Sequence, residues 1–369
     1  MIKERIKKFW QEINKGIIQP NAFLVINPKN IFYLTQFKGE GLLLSTPDQN
    51  YLITDSRYTK QAKTEVQHCD IIIQELKQND AQTISLSNLI AELKIKELGY
   101  ESDFLKVSNY QKYQQVMPQL KLFPFSNILE IVRMVKDQSE INLIKKAVQI
   151  ADTAFQETVG ELSPGISELA LANRLNYNMR KEGATKEAFD LIVTSGERGV
   201  LVHGAPSDKQ IKDGELIVID FGSNYGMYNS DCTRTLILGK PDKEQEKIFN
   251  IIKQVQIETL QRVKAGIQCK ELDEFARLII EESGYGDFIQ HSLGHGVGVD
   301  IHELPHLNSY DQTILQSGMV VTIEPGIYVP GLGGVRIEDT IVITEKGCHI
   351  LTMLPKELSL AFYSKKIFI

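Results

Sequence analysis

The spacing of apolar and polar residues divides the chain into two stretches of different rhythm. From Asn21 to about Phe125, short apolar runs alternate with helical spacings. Ala22-Phe23-Leu24-Val25-Ile26 stops at Asn27-Pro28, as a buried strand does. Leu42-Leu43-Leu44 and Tyr51-Leu52-Ile53 flank the turn-rich Thr46-Pro47-Asp48-Gln49-Asn50, which predicts a hairpin. Ile71-Ile72-Ile73 predicts another strand. Residues 81–95 have helical spacing, with Ile84, Leu86, Leu89, Ile90 and Leu93 on or near one face. Asp55 and Arg57 read as a solvated loop pair, and this half gathers no convincing cluster of titratable groups.

Between Phe123 and Asp137 the rhythm changes, which places a domain boundary near residue 125, with domains at 1–125 and 126–369. A long amphipathic helix is predicted from Ser139, its N-cap, with Ile141, Ile144, Ala147, Val148 and Ala151 at helical spacing. Asn142 holds the position where a capping box would want Glu or Gln. A second helix follows Ser167 from Leu169 to Lys181 and closes at Gly183. A third covers Glu244 to Lys264, and a fourth Leu272 to Glu282 before Gly284.

Within the second stretch the pattern repeats itself. Gly214 precedes the apolar run Leu216-Ile217-Val218-Ile219 and Asp220; Gly318 precedes Met319-Val320-Val321-Thr322-Ile323 and Glu324 at the same offset. Each acid has a Gly two positions on (Gly222, Gly326), then a loop and a returning strand with a second acid, Asp231 or Glu338. Arg234 and Arg336 lie near those acids, and each copy closes on an apolar run. Two related hairpins, each delivering two carboxylates, are therefore expected to meet about a pseudo-two-fold axis.

A carboxylate in a buried strand is costly unless it is paired or coordinates a cation. Either Asp220 or Glu324 alone could cap a turn in solvent, but four acids in matching hairpins point to a cation between them. Oxygen-rich ligation with one imidazole suits Mn(II), Co(II), Zn(II) or Fe(II), and two metals ~3.5–4 Å apart need bridging carboxylates. The imidazole is expected from His295, in His291-Ser292-Leu293-Gly294-His295-Gly296-Val297-Gly298, where glycines let backbone approach a crowded centre. His291, His295 and His302 fall within twelve positions, with His306 just beyond.

Composition adds boundaries. A chain of 369 residues, 42% hydrophobic and 24% charged, suits two globular domains. The net charge of -6 argues against nucleic acid or an anionic membrane as partner. No apolar run approaches a membrane span, and Met1 to Pro20 has no signal-peptide core. Cys69, Cys232, Cys269 and Cys348 lie far apart and read as free thiols, so a cytoplasmic protein is expected.

The motifs together resemble the pita-bread metallopeptidases: aminopeptidase P, prolidase, methionine aminopeptidase and the non-metal enzyme creatinase. The matching stretches are Val218-Ile219-Asp220-Phe221-Gly222, Ser230-Asp231-Cys232-Thr233-Arg234, Gly294-His295-Gly296-Val297-Gly298, Ile323-Glu324-Pro325-Gly326-Ile327-Tyr328 and Gly334-Val335-Arg336-Ile337-Glu338-Asp339. Ile31-Phe32-Tyr33-Leu34-Thr35 and Leu52-Ile53-Thr54-Asp55-Ser56-Arg57-Tyr58 are similar, more loosely, to the creatinase-type N-terminal domain, which methionine aminopeptidases lack. The implied fold is α+β: a pita-bread catalytic domain behind a smaller creatinase-like α/β domain.

The resemblance implies two divalent cations, Mn2+ first and Co2+ or Zn2+ as alternatives. Asp231 would hold one and His295 with Glu324 the other, with Asp220 and Glu338 bridging. It also implies Glu324 as proton shuttle, His302 as donor to the oxyanion, and His203 as a further active-site histidine. His291 and Arg336 would contact substrate or orient ligands, Arg336 being equally a partner to a ligand carboxylate. Where the family commonly has Asn and Pro before that histidine, this chain has Arg198 and Val202. The implied substrates are peptides with proline second, and a homodimer is expected. Leu351-Thr352-Met353-Leu354-Pro355-Lys356-Glu357-Leu358 favours an Xaa-Pro aminopeptidase over the alternative, an Xaa-Pro dipeptidase (prolidase). A non-catalytic peptide-binding member would have lost ligands, and none is missing here.

Overall fold

Strands that are apolar at every position must be covered on both faces, and the N-terminal sheet is built around such strands. The computed structural model describes residues 1–74 and 81–363; the end of the expected second domain, beyond 363, lies outside the described residues. Two compact units divide it, Met1–Arg133 and Met134–Ile369.

In the first unit, β1 (Ala22–Val25), β2 (Leu42–Ser45), β3 (Asn50–Asp55), β4 (Asp70–Gln74), β5 (Glu97–Glu101) and β6 (Lys121–Phe125) form one sheet in the order β4-β3-β2-β1-β5-β6. The predicted hairpin is present as the antiparallel β2–β3 pair. Helices α1 (Ile2–Ile13), α2 (Pro28–Thr35), α3 (Thr59–Glu65), α4 (Ala81–Glu92), α5 (Val107–Val116) and α6 (Ile128–Arg133) accompany it. In α4, Leu86, Leu89 and Ile90 are buried, whereas Ile84 is exposed. The periodicity reading passed over α1, which buries Ile2, Phe9, Trp10 and Ile13 between charged residues. Phe9 meets the Phe23 ring edge-on, and the Trp10 indole donates to the Ser45 hydroxyl at 3.0 Å. Ile128, Leu129 and Val132 of α6 join the same core as Phe9 and Phe23, so this unit runs to Arg133, past the change of rhythm near residue 125.

The second unit opens with α7 (Gln138–Val159), whose cap corrects the sequence reading. Asp137, not Ser139, is the N-cap: its carboxylate accepts the Ser139 and Glu140 amides, and Glu140 accepts the Asp137 amide in return. The reciprocal bonds of Asp137 and Glu140 complete a capping box, and both charges lie at the positive helix end. Helix α8 (Glu168–Lys181) is capped by Ser167, with Gly183 beyond its end at a φ of 105°. Helices α9 (Lys243–Arg262) and α10 (Cys269–Glu282) follow, α10 starting a turn earlier than Leu272.

The strands of this unit are β7 (Lys186–Glu187), β8 (Ile192–Ser195), β9 (Leu216–Phe221), β10 (Ser223–Tyr225), β11 (Tyr228–Asn229), β12 (Cys232–Ile237), β13 (Gly294–Gly296), β14 (Glu303–Leu307), β15 (Val320–Ile323), β16 (Gly326–Val329), β17 (Gly333–Arg336), β18 (Asp339–Ile343) and β19 (Cys348–Ile350). The repeat in the sequence is visible as topology. β9 pairs antiparallel with β12 and β15 with β18, and each pair encloses a smaller hairpin, β10–β11 or β16–β17. Each copy also has its own helical cover. Ile150, Ala151, Phe155, Leu171 and Leu175 pack on Ile217, Ile219 and Phe221; Ile248, Ile252, Leu272 and Ile280 pack on Val321, Ile323 and Ile341. Each such large apolar side chain contributes roughly 1.5–3 kcal/mol on burial, so both hairpins are rigid supports for the acids at their ends.

One buried acid away from those ends has a consequence for stability. Asp152 in α7 accepts the Met353 amide at 2.7 Å, and burial pushes its pKa up to about 7. The folded state therefore holds a proton that the unfolded chain releases near pH 3.8, so stability falls as pH rises through that window and then levels off. Asp152→Asn is expected to remove on the order of 3 kcal/mol of that fall. Urea unfolding at pH 4.5 and pH 8 checks this; an unchanged pH slope in the variant would contradict it.

Candidate metal centre

The hairpin ends bring the acids together. Asp220 is in β9, opposite Thr233, and Asp231 immediately precedes β12. Glu324 follows β15 and Glu338 precedes β18. His295 is the middle residue of β13, and its glycine neighbours have a reason in packing. A Cβ on Gly294 would fall 2.2 Å from the Thr322 carbonyl oxygen, and one on Gly296 2.3 Å from that of Leu304. Glycine lets β13 lie this close to its neighbours, which is what carries His295 inward.

Asp231, His295 and Glu338 each offer a ligand atom within 4.8 Å of the others. His295 Nε2 lies 3.3 Å from Glu324 Oε1 and 3.5 Å from Asp231 Oδ2. Its Nδ1 faces the Gly296 carbonyl at 3.1 Å, which accepts an Nδ1–H and so favours the tautomer with Nε2 bare toward the acids. Burial drives the His295 pKa down to about 3, so the imidazole is neutral, as a ligand must be. Burial also raises Asp231, Glu324 and Glu338, and the neighbouring carboxylates add to the rise. Asp231 is held well above the ordinary range by burial, then by Glu338, Asp220 and Glu324; Glu338 by burial, then by Glu324 and Asp220. Glu324 is pushed to about 8, by burial first.

Asp220 Oδ2 accepts from Arg336 Nη2 at 2.6 Å, while its buried Oδ1 has no hydrogen-bond partner among the described residues. A buried acceptor with no donor, beside three carboxylates and a bare imidazole nitrogen, fits divalent-metal ligation.

Arg336 is buried, and its bonds are those of a partner to the carboxylates. Nε donates to Thr233 Oγ1 (3.1 Å), Nη1 to the Tyr328 hydroxyl (2.6 Å) and Nη2 to Asp220. Thr233 Oγ1 donates in turn to Glu338 Oε2 at 2.7 Å. His291 has its Nδ1 on the Ser292 carbonyl and its Nε2 on the Tyr328 hydroxyl, both at 2.8 Å. Tyr328, Thr233 and Thr322, whose hydroxyl reaches Glu324 Oε1 at 3.1 Å, were not singled out from the sequence. Two of them lie inside the motifs quoted above, but an uncharged hydroxyl shows its importance only once its partners are placed.

The cavity over this cluster is about 330 Å³. His203, His302, His291 and Arg336 line it together with Asp220, Asp231, His295, Glu324 and Glu338, so every candidate residue meets in one place. The His302 ring stands edge-on to that of His295 with centroids 4.3 Å apart. Its segment is fixed by Glu303, which accepts the Asp300 amide at 2.9 Å and pairs with buried Lys136 at 3.1 Å. Phe189, Ile192, Val202 and Ile301 supply an apolar wall.

Comparison with known proteins agrees with this architecture. Residues 142–345 match the model of metallopeptidase family M24, and residues 5–135 that of the creatinase/prolidase N-terminal domain. The chain belongs to metallopeptidase family M24. Its two-domain architecture is thus that family's pita-bread domain behind a creatinase-type domain. The M24 chain is 38% identical to a Xaa-Pro dipeptidase of Pyrococcus horikoshii, over 97% of its own length and 99% of the relative's. A solved Xaa-Pro dipeptidase from Bacillus anthracis superposes with a TM-score of 0.93 at 38% identity, covering 97% of this chain and 99% of that one. An X-Pro aminopeptidase from Thermotoga maritima gives 0.87 at 39% identity, covering 94% and 99%. No helix among the described residues is long and apolar enough to cross a membrane.

Proposed function

We propose that this M24 chain is a divalent-metal-dependent Xaa-Pro dipeptidase, the reading that its sequence placed second. The observation that carries the peptidase chemistry is the convergence of four carboxylates and neutral His295, with Asp220 Oδ1 left without a donor. The Xaa-Pro dipeptidases of Pyrococcus horikoshii and Bacillus anthracis support the dipeptidase branch, and so does the cavity. At about 330 Å³ it is near the small end of the ~300–1,000 Å³ usual for ligand sites. Its apolar wall suits a proline ring, whose amide has no N–H to satisfy.

The cue that favoured an aminopeptidase has another cause. Leu354 is buried, and the carbonyls of Leu354 and Pro355 accept from buried Arg234 at 2.9 Å. The Leu351–Leu358 pattern therefore reflects packing on Arg234 rather than substrate length. The aminopeptidase remains the second reading, supported by the likeness to the Thermotoga maritima enzyme.

Held by Asp220, Asp231, His295, Glu324 and Glu338, a pair of divalent cations (Mn2+ first, Co2+ or Zn2+ otherwise) would polarise the scissile carbonyl and acidify water. Around that chemistry the side chains divide the work. Glu324, lining the cavity beside His295, takes the water's proton and passes it to the departing prolyl nitrogen. Neutral His302, its pKa lowered by burial, keeps an N–H to donate to the developing oxyanion. Arg336 and Tyr328 hold Asp220 and His291 in register, and His203 closes the substrate wall. The same reading takes the protein as a cytoplasmic homodimer acting on peptides with proline second.

Xaa-Pro and Xaa-Pro-Yaa peptides offered side by side with Mn(II) test the proposal. Hydrolysis confined to the dipeptide is expected. Comparable cleavage of the tripeptide would return the assignment to an aminopeptidase, and no cleavage of either would remove the enzyme.

A further inference from the structure

Within the connection between β8 and β9, residues 195–207 carry His203 to the cavity wall, and one carboxylate grips both ends of that stretch. Glu168, the first residue of α8, is fully buried. Its Oε1 accepts the Ser195 amide (2.8 Å) and hydroxyl (2.9 Å), where the segment begins. Its Oε2 accepts the Ser207 hydroxyl (2.7 Å) and amide (3.2 Å), where the segment ends. Arg198 joins the two from within: Nε donates to Glu168 Oε2 at 3.0 Å, and Nη2 to the Ala205 carbonyl at 2.8 Å. Gly199 lies against β17 backbone to backbone, since a Cβ on Gly334 would fall 2.1 Å from its carbonyl oxygen. The base of the segment is thereby fixed, while His203 and Leu201 near its tip are exposed.

We propose that Glu168 and Arg198 are positioning residues for His203, the buried carboxylate clasping the Ser195–Ser207 segment and Arg198 extending that grip to the peptide two residues past the histidine. Five donors on one carboxylate leave it no freedom to reorient, and burial makes each charge-assisted bond stronger than its surface counterpart. A guanidinium is the group that can hold Glu168 and the Ala205 carbonyl at once, because its donors diverge from one rigid plane. This gives Arg198, where the family commonly has Asn, a place in the scaffold rather than on the substrate. The proposal rests on the dipeptidase reading only for its activity readout.

The test compares Arg198→Ala, Arg198→Lys, His203→Ala and the Arg198→Ala/His203→Ala double variant. Kinetics use Ala-Pro with Mn(II), and the His203 ring resonance, assigned by its loss in His203→Ala, is read in histidine-labelled metal-free protein. Arg198→Ala is expected to lower kcat/KM about tenfold, as loss of an orienting partner does, and to shift and broaden the His203 resonance. Arg198→Lys should stay low, and Arg198→Ala should cost nothing further once His203 is absent. An equal loss with and without His203, or an unmoved resonance, overturns the proposal. Glu168→Gln should reproduce the defect more severely; if it does not fold, the Arg198 variants decide alone. If the wild type does not hydrolyse Ala-Pro, the functional reading fails while the resonance still judges the positioning role.

Discussion

Glu324→Gln is expected to lower kcat for an Xaa-Pro dipeptide by on the order of 10³-fold, within the range that loss of a positioned proton carrier produces. The substitution keeps the shape of the side chain and its acceptor toward Thr322, but a carboxamide cannot take up and release a proton. Glu324 is suited to that task by its place: it lines the cavity, with a carboxylate that can accept a proton and give it up again. Its Oε1 lies 3.3 Å from His295 Nε2, so the residue adjoins another proposed ligand. The variant should remain folded, because removing a charge from a group of mutually repelling carboxylates relieves strain rather than creating it. Steady-state kinetics with saturating Mn(II), together with circular dichroism, make the comparison. A kcat within tenfold of wild type would assign the proton transfer to another group.

Much of this site was legible in the sequence because its cost is written there. An acid closing a run such as Leu216-Ile217-Val218-Ile219 is expensive in the fold, and a second copy of the pattern at Glu324 makes chance a poor explanation. The same repeat appears as paired hairpins, each under its own two helices. What was not legible depends on partners distant in sequence. Tyr328 matters because its hydroxyl meets both Arg336 and His291, and Glu168 because Ser195, Arg198 and Ser207 converge on it. The α7 cap was missed for a local reason: Asp137 and Ser139 are both good caps, and only the reciprocal bond from the Asp137 amide to Glu140 decides between them. Helix α1 was passed over because its apolar positions are sparse among charged ones, although Phe9 and Trp10 bury deeply.

Glu338→Gln is expected to have opposite effects on stability with and without divalent metal. Glu338 is 1% exposed, and its pKa stands well above the usual carboxylate value through burial and then the charges of Glu324 and Asp220. For metal-free protein the sign follows directly. A folded-state pKa raised above the unfolded value means that stability declines as pH rises through the interval between them. At neutral pH, therefore, metal-free Glu338→Gln should be more stable than wild type and should show a smaller loss between pH 5 and pH 8. With metal the order reverses, because a cation held between carboxylates turns their mutual repulsion into ligation. At a free metal concentration of 100 times Kd, binding contributes about 2.7 kcal/mol to wild-type stability. The variant, lacking a charged ligand, should gain much less. Thermal unfolding of both proteins in chelator and in Mn(II) reads the crossover; identical metal-induced shifts would remove Glu338 from the ligand set.

Bound metal can also be counted directly. Equilibrium dialysis against Mn(II), read by atomic emission, should return two ions per wild-type chain and fewer for Glu338→Gln at the same free concentration. A wild-type chain that retains no Mn(II), Co(II) or Zn(II), and whose unfolding midpoint none of them raises, would contradict a metal centre built from Asp220, Asp231, His295, Glu324 and Glu338.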